Sequence, residues 1–215
     1  MKLKKELLYP APLYNFLSYI SESAINGLIL DCGAGGSNPK QALFTRIGFE
    51  TIGIELSEER LEQAQDYANQ NKIVLPMQLG DIRSIEFESN YFGYVYSWNT
   101  IFHMNKKDIK KAIDEMIRVL KPGGLCFVNF LSVDSAFYGE DEEVNPGECI
   151  QIEGDEKIMH TFFTDEESDT FFENLNIEVL FKEKRILHKK IEDGKILNDA
   201  YFDYILLKKE NLNLI

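Results

Sequence analysis

The stretch Leu28-Ile-Leu-Asp-Cys-Gly-Ala-Gly-Gly-Ser37 is the most informative part of the sequence, because a short apolar run passes directly into a glycine-rich loop. Glycines at the end of a strand let the backbone approach a ligand where a Cβ would clash, and they permit positive φ. The helix expected from about Pro39 to Ile47 would point its free N–H groups at such a ligand. The stretch predicts a first strand at 28–31 followed by a ligand site, with a plain tight turn as the alternative.

Downstream of this loop, short apolar runs alternate with segments of helical periodicity. The further strands predicted are Thr51–Glu55, Ile73–Leu75, Tyr94–Ser97 and Leu125–Phe130. The segments 57–69 and 107–120 read as helices between them, since their apolar residues recur at helical spacing. This alternation predicts an α/β fold with a doubly wound, Rossmann-like sheet of mostly parallel strands and right-handed crossovers.

The pattern changes after Leu131. Residues 132–163 are interpreted as an insertion, with a turn-rich acidic part and a β-hairpin from Ile150 to Phe163 that turns near Gly154-Asp155. The acidic run Glu140–Glu143 is interpreted as a solvated loop, or alternatively as a lid that favours cationic acceptors.

The remaining segments fit the same domain. Thr164 is expected to cap a helix carrying Phe171, Phe172 and Leu175. Two long final strands, 177–191 and 196–207, are predicted to reverse at Asp193-Gly194. No internal repeat or linker is visible, so one domain is expected over residues 1–215, with an N-terminal cap-helix segment at 1–26.

Charge and cysteine content restrict the function. The chain of 215 residues has 23 Lys and Arg against 36 Asp and Glu, a formal net charge of −13. An acidic surface repels phosphates, so nucleic acid and anionic membranes are not expected as partners. There is no apolar stretch of the roughly 20 residues that span a bilayer, and no signal peptide is recognised. Cys32, Cys126 and Cys149 show no metal spacing, and these features predict a cytoplasmic protein without a bound metal.

Three positions refine the ligand. The dinucleotide fingerprint G-x-G-x-x-G would need glycine where Asn38 stands. Glu55, which ends the second predicted strand, can accept hydrogen bonds from both hydroxyls of a ribose. Asp81 follows the third strand, where it can accept from an adenine amine while Ile82 flanks the ring. An adenosine-containing ligand other than a dinucleotide is indicated.

In this combination the sequence resembles the class I S-adenosylmethionine-dependent methyltransferases, of the small-molecule branch similar to methyltransferase types 11 and 25. The resemblance covers roughly residues 27–131 and includes the turn Leu120-Lys-Pro-Gly-Gly124 before strand five. It implies a seven-stranded sheet whose last strand is antiparallel, and S-adenosyl-L-methionine as the cofactor. The cofactor-binding residues that it implies are Asp31, Gly33, Ala34, Gly35, Glu55, Leu56, Asp81, Ile82, Ser97 and Trp98.

Within that resemblance, Asp31, Gly33 and Gly35 correspond to the loop that holds the methionine part. The stretch Ser97-Trp-Asn-Thr-Ile-Phe-His-Met104 resembles the exit of strand four, which lines the cofactor and acceptor pocket. No N-P-P-Y-type motif stands there, which argues against amino-methylation of bases. Trp98 is expected either to wall the methyl-transfer site or to be a core aromatic.

The predicted chemistry is an in-line methyl transfer, which depends mainly on positioning and desolvation. A general base is needed only for a protonated acceptor. His103 is the first candidate and His160 the second, the alternatives being a capping or wall position for His103 and a hairpin position outside the pocket for His160. His188 is expected on the surface.

We therefore expect an enzyme that methylates a small metabolite or xenobiotic, chalcogen oxyanions included. The alternatives are an NAD-dependent oxidoreductase on a Rossmann fold and a non-catalytic protein that binds an adenosine cofactor. A monomer or a homodimer is expected. The aromatic N-terminal segment from Leu8 to Ile20 is expected to pack on the sheet or to cover the cofactor.

Overall fold

A computed structural model describes residues 8–153, 156–190 and 196–210. The helices are α1 (Ala11–Glu22), α2 (Gln41–Ile47), α3 (Glu58–Asn71), α4 (Lys106–Val119) and α5 (Asp165–Thr170), with a short 3₁₀ helix at Ile101–His103. The strands are β1 (Ile29–Cys32), β2 (Thr51–Glu55), β3 (Met77–Leu79), β4 (Phe92–Ser97), β5 (Leu120–Ser132), β6 (Glu142–Asn145), β7 (Glu148–Glu153), β8 (Glu156–Phe163), β9 (Ile177–Lys190) and β10 (Ile196–Lys208).

The ten described strands form one sheet. Seven of them run in the order β3-β2-β1-β4-β5-β10-β9, and β8, β7 and β6 extend from the end of β5. The first five are parallel, and β10 runs antiparallel to both β5 and β9. The Rossmann-like sheet and its antiparallel last strand are thus confirmed. The strand order reverses between β1 and β4, and a ligand crevice is expected outside the carboxyl ends of the strands at such a point.

Helices cover both faces of this sheet. On one face Phe16 of α1 and Phe44 of α2 pack with Tyr96 and Phe127 of the central strands. On the other face α4 buries its apolar stripe, including Met116, as its sequence period predicts. Because helices lie on both sides, β1 is buried at all four positions, Asp31 included.

The third strand is not where the sequence placed it. We predicted Ile73–Leu75, but β3 begins at Met77. The reason is that α3 continues to Asn71 and leaves through Lys72 at a left-handed φ of 54°, with the Ile73 N–H donating to the Ala68 carbonyl. Residues 73–75 are therefore the exit turn of the helix.

The insertion has one strand more than the predicted hairpin. β7 and β8 form that hairpin, while β6 stands where Glu140–Glu143 was interpreted as a solvated loop. The loop interpretation was wrong for Glu142 and Glu143, whose backbone pairs with β7, although both side chains are exposed as expected. Because β6 is exposed along its length, its sequence lacks an apolar alternation that would predict a strand. The turn at Gly154-Asp155 and the reversal at Asp193-Gly194 lie outside the described residues.

The last helix is shorter than its sequence indicated. α5 ends at Thr170, and Phe171 and Phe172 follow it in a turn, where both are buried. Among the described helices, none is both long enough and apolar enough to cross a bilayer.

Candidate functional site

A cavity of about 550 Å³ opens at the carboxyl ends of β1, β2 and β4, where the strand order reverses. Its size lies in the range of about 300–1,000 Å³ that is usual for small-molecule sites. Seven sequence-predicted residues line it. These are Gly33, Glu55, Leu56, Asp81, Ile82, His103 and His160.

Gly33 fixes the floor of this cavity. Its φ is +99°, and a Cβ added there would lie 2.3 Å from Oγ1 of Thr100. The N–H groups of Gly33 and Ala34 both donate to the Ile54 carbonyl, at 2.9 and 3.0 Å. The loop is thus tied to β2, and only glycine fits at position 33.

Glu55 lies beside the loop at the end of β2. Its carboxylate accepts hydrogen bonds from the N–H groups of Gly35 at 2.9 Å and Ser57 at 3.0 Å, and the residue is only 7% exposed. A carboxylate can accept about four hydrogen bonds, and these two N–H groups use two of them. The Glu55 carboxylate therefore retains capacity to accept from hydroxyl groups in the cavity. Glu55 is therefore pre-oriented for a ligand with vicinal hydroxyls.

Asp81 is fixed by a residue that sequence reasoning missed. The Arg83 guanidinium donates to both oxygens of Asp81, at 2.6–2.9 Å, and also to Asp108 at 3.0 Å. These hydrogen bonds hold the pKa of Asp81 below its ordinary value. Asp81 is thus an ionised acceptor in a fixed orientation at the end of β3. Leu56 also lines the cavity, and its apolar side chain is 64% exposed.

Three predicted cofactor-binding residues lie behind the loop and outside the lining of the cavity. Asp31 is 2% exposed and accepts from the Tyr96 hydroxyl, and burial raises the pKa of its carboxyl to about 7. Ala34 is buried as well, and Ser97 donates to the Cys32 carbonyl at 3.0 Å. These residues hold the loop in place.

Trp98 and Gly35 line an adjoining cavity of about 650 Å³, which also reaches Gly33. The indole of Trp98 stacks on Phe127, with ring centroids 5.9 Å apart. The Cζ atom of Arg185 lies over the indole, 5.4 Å from its ring centroid. Trp98 therefore makes the expected core contact through Phe127 and lines the adjoining cavity, and it is not among the residues that line the first cavity.

The two histidines predicted from the sequence meet across the cavity. The imidazoles of His103, in the 3₁₀ helix, and His160, in β8, have centroids 4.7 Å apart. His103 is exposed to the cavity but enclosed by protein behind it, and this enclosure, together with His160, lowers its pKa to about 4. The His103 ring is therefore neutral near pH 7 and can accept a hydrogen bond.

A second cavity of about 320 Å³ adjoins the first, and Asn99, His103 and His160 line both. Asn99 has a left-handed φ of 50°, and its side chain and backbone pair with the amide of Asn129 at 2.6 and 2.8 Å. Asn99 lies within the stretch 97–104 that the resemblance places at the pocket, but it was not singled out as a site residue, although asparagine after a strand is a signal for this conformation.

The described residues contain no group of three or more His, Cys, Asp or Glu side chains placed to hold a metal ion. Cys32, Cys126 and Cys149 are buried free thiols. Burial raises the pKa of Cys32 and Cys126, which keeps both thiols protonated and unreactive.

Comparison with known proteins gives matches over the part of the chain that contains most residues of the first cavity. The family model for a methyltransferase domain matches residues 29–124. Tocopherol O-methyltransferase of Arabidopsis thaliana is 35% identical over 134 residues, which are 61% of this chain and 36% of that protein. Sterol 24-C-methyltransferase of Kluyveromyces lactis is 28% identical over 134 residues, 61% of this chain and 34% of that protein. The chain spans about a third of the length of these curated relatives.

Among solved structures, that of an S-adenosylmethionine-dependent methyltransferase from Methanosarcina mazei superposes with a TM-score of 0.74. It is 18% identical to this chain and covers 95% of this chain and 99% of its own. At that identity the likeness concerns the fold.

Proposed function

We propose that this chain is a class I S-adenosylmethionine-dependent methyltransferase, whose methyltransferase domain matches at residues 29–124, and that it methylates a small-molecule acceptor. The observation that carries the proposal is the convergence of Glu55 and Asp81, from the ends of adjacent strands, on the cavity floored by Gly33. S-adenosyl-L-methionine, the cofactor of this family, supplies a methyl group already activated on a sulfonium.

The residues of the cavity fit that cofactor. Glu55 would accept from the ribose hydroxyls, and Asp81 would accept from the adenine amine while Ile82 and Leu56 flank the ring. Gly33 and Gly35 would hold the methionine part. Asp31, Ala34 and Ser97 would act from behind the loop, and Trp98 from the neighbouring wall.

We assign the two histidines to the acceptor. They stand where the two cavities join, so a group reaching the first cavity from the second must pass them. A neutral His103 accepts a hydrogen bond from an acceptor O–H or N–H and orients its lone pair, and the open cavity lets the released proton leave to water. His160 supports this orientation through its contact with His103.

The wider assignments are parts of the same proposal. Residues 1–215 form a single domain with the cap-helix segment at 1–26 and the insertion at 132–163, in a cytoplasmic monomer or homodimer. The net charge of −13 supports a partner other than nucleic acid. The relatives named for tocopherol and sterol acceptors support a small-molecule acceptor, and no comparison supports the NAD-dependent alternative.

Calorimetric titration with S-adenosylmethionine, S-adenosylhomocysteine and NAD tests the cofactor. We expect the first two to bind and NAD to be silent. Binding of NAD alone would overturn the proposal.

The histidine assignment is tested with His103→Asn in an acceptor screen that detects S-adenosylhomocysteine release. Turnover should fall while affinity for S-adenosylhomocysteine is retained. His188→Asn is the matched control, since His188 is exposed on β9 and hydrogen bonds to Asn198 away from both cavities. Equal turnover of the two variants would remove His103 from the reaction.

A further inference from the structure

We propose that Asn99 and His103 hold a hydroxyl group of the methyl acceptor between them, so that the reaction is an O-methylation, an inference that rests on the proposed function and deepens it. Both residues line the first and the second cavity. They lie within one turn of each other, since the His103 N–H donates to the Thr100 carbonyl at 3.1 Å. A group at the junction of the two cavities can therefore contact both side chains.

The orientation of the Asn99 amide is fixed by Asn129, a fully buried residue of β5. The backbone N–H of Asn99 donates to Oδ1 of Asn129 at 2.8 Å, so the other amide atom of Asn129 is its nitrogen. That Nδ2 donates to the Asn99 side chain at 2.6 Å, so the Asn99 atom that it contacts is the oxygen Oδ1. A backbone N–H can only donate, and it therefore determines the orientation of both side-chain amides.

The Asn99 Nδ2 group is the part of this amide that remains for a ligand. No residue in the described parts of the chain makes a hydrogen bond with it, because the pair with Asn129 uses the Asn99 oxygen and backbone N–H. Asn99 is partly exposed and lines the first, the second and the adjoining cavity. Its side chain thus offers N–H donors to a ligand at the junction.

His103 offers the complementary group. Its Nδ1 lies 3.4 Å from the Met159 carbonyl oxygen, which can only accept, so Nδ1 carries the proton in this contact. The pKa of about 4 leaves the ring neutral near pH 7, and a neutral imidazole with its proton on Nδ1 has a lone pair on Nε2. His103 is thus an acceptor at the junction where Asn99 is a donor.

A hydroxyl group satisfies both residues through one atom. Its oxygen accepts from Asn99 Nδ2, and its O–H donates to His103 Nε2. An aliphatic ammonium has no lone pair with which to accept, a carbon nucleophile has neither function, and a thiol is weak in both. The body of the acceptor would lie in the second cavity, whose aromatic lining residues are Phe102, Phe137, Phe162 and Tyr201.

The chemical step uses the same two contacts. A lone pair of the hydroxyl oxygen forms the new bond to the methyl carbon as the carbon–sulfur bond breaks, and that bonding pair stays on sulfur. The hydroxyl proton passes to Nε2 of His103 and then to water in the open cavity. The N–H of Asn99 keeps the oxygen in place, and Asn129 acts through Asn99 as a positioning residue.

Three probes of matched size test this pairing: 4-fluorophenol, 4-fluoroaniline and 4-fluorotoluene. Each is titrated into the protein saturated with S-adenosylhomocysteine, and fluorine NMR measures its affinity. The aniline nitrogen is a poor acceptor because its lone pair is delocalised into the ring, and the methyl group of the toluene neither donates nor accepts. We expect 4-fluorophenol to bind at least about fivefold more tightly than either of the others, since they leave the Asn99 donor unpaired.

Asn99→Asp replaces the donor by an oxygen. Aspartate tolerates the left-handed φ of this position and can still accept from Asn129 Nδ2, while its second oxygen faces the ligand. 4-Fluoroaniline has two N–H donors for this oxygen and His103 Nε2, whereas 4-fluorophenol has a single proton. The order of the two probes should therefore reverse.

Asn129→Leu tests the positioning role at nearly constant side-chain volume. It removes both hydrogen bonds that orient Asn99, so the preference for 4-fluorophenol over 4-fluorotoluene should fall toward one while 4-fluorotoluene binds as before. A merely structural role would weaken all three probes equally, and that result would overturn the positioning role.

Asn69→Asp is the control for Asn99→Asp, because Asn69 is exposed on α3 and lines none of the three cavities. Affinity for S-adenosylhomocysteine reports folding in every variant. The proposal is overturned if 4-fluorophenol fails to bind the loaded protein, if it binds no better than 4-fluorotoluene, or if Asn99→Asp keeps the wild-type order of the probes. Failure of the proposed function is distinguishable, since S-adenosylhomocysteine would then not bind in the first titration.

Discussion

Glu55→Gln is the sharpest single test of the cofactor cavity, because this carboxylate has both a structural and a binding role. Its two oxygens accept from the N–H groups of Gly35 and Ser57, whereas a glutamine amide offers one acceptor oxygen. One buried N–H then loses its partner, which costs about 1–3 kcal/mol of the free energy of unfolding. For a domain of this size that lowers Tm by roughly 2–4 °C per kcal/mol.

Glu55→Gln should also weaken the binding of S-adenosylhomocysteine. If the carboxylate accepts from ribose, the loss of a charge-assisted hydrogen bond of about 1.5–3 kcal/mol weakens S-adenosylhomocysteine binding roughly 10- to 150-fold. Calorimetric titration measures the affinity, and denaturant unfolding measures the stability.

Glu62→Gln is the matched control, since Glu62 is exposed on α3 and the charge change is the same. It should leave both quantities unchanged. Wild-type affinity in Glu55→Gln, with the expected loss of stability, would refute the ribose role and leave Glu55 a structural residue only. Wild-type stability would refute the hydrogen-bonding argument itself.

Three further outcomes are expected. Gly33→Ala should abolish S-adenosylhomocysteine binding in calorimetry, because its Cβ would meet Thr100 at 2.3 Å at a φ of +99°; retained affinity would show that the loop can shift. Asp31 has a folded-state pKa of about 7, above its ordinary value, so its contribution to stability is complete below about pH 4 and is lost as the pH rises through 7. The free energy of unfolding of the unliganded wild type relative to Asp31→Asn should fall by up to ~4 kcal/mol over that range in denaturant titrations, and a flat difference would contradict the shift. Lys208→Met should lower the free energy of unfolding by roughly 1–3 kcal/mol, because its ammonium donates to two carbonyls at the end of α4 at 2.7 Å, and an unchanged denaturation midpoint would show that water replaces these bonds.

The parts of the fold that were predictable from sequence are those that local patterns specify. The apolar period of α4 and the branched residues of β1 each point to one structure, because burial on a helix stripe or inside a parallel sheet demands that composition. The position of β3 was missed since the turn leaving α3 is also apolar. β6 was missed because all four of its residues are exposed, so its sequence has no alternation of apolar and polar residues that would predict a strand.

Some residues of the candidate site could likewise be predicted from sequence, and others could not. Gly33, Glu55 and Asp81 follow strand ends, so their convergence could be foreseen from the topology. Arg83 could not be foreseen, because its role depends on the side-chain geometry that joins Asp81 to Asp108. The second cavity could not be foreseen either, since Asp199 lines it from β10, far along the chain from the strand ends that line the first cavity.

The attachment of the insertion has a consequence for how specificity changes. β8 adds to the main sheet beside β5, with Leu131 opposite Phe162, and Thr161 donates to the Met104 carbonyl at 2.7 Å. The insertion is thus built into the scaffold, while most of the second cavity is encoded after residue 130 and most of the first before residue 105. On the proposed assignment of the two cavities, substitutions after residue 130 would alter the acceptor cavity and leave unchanged most of the residues that would hold the methyl donor.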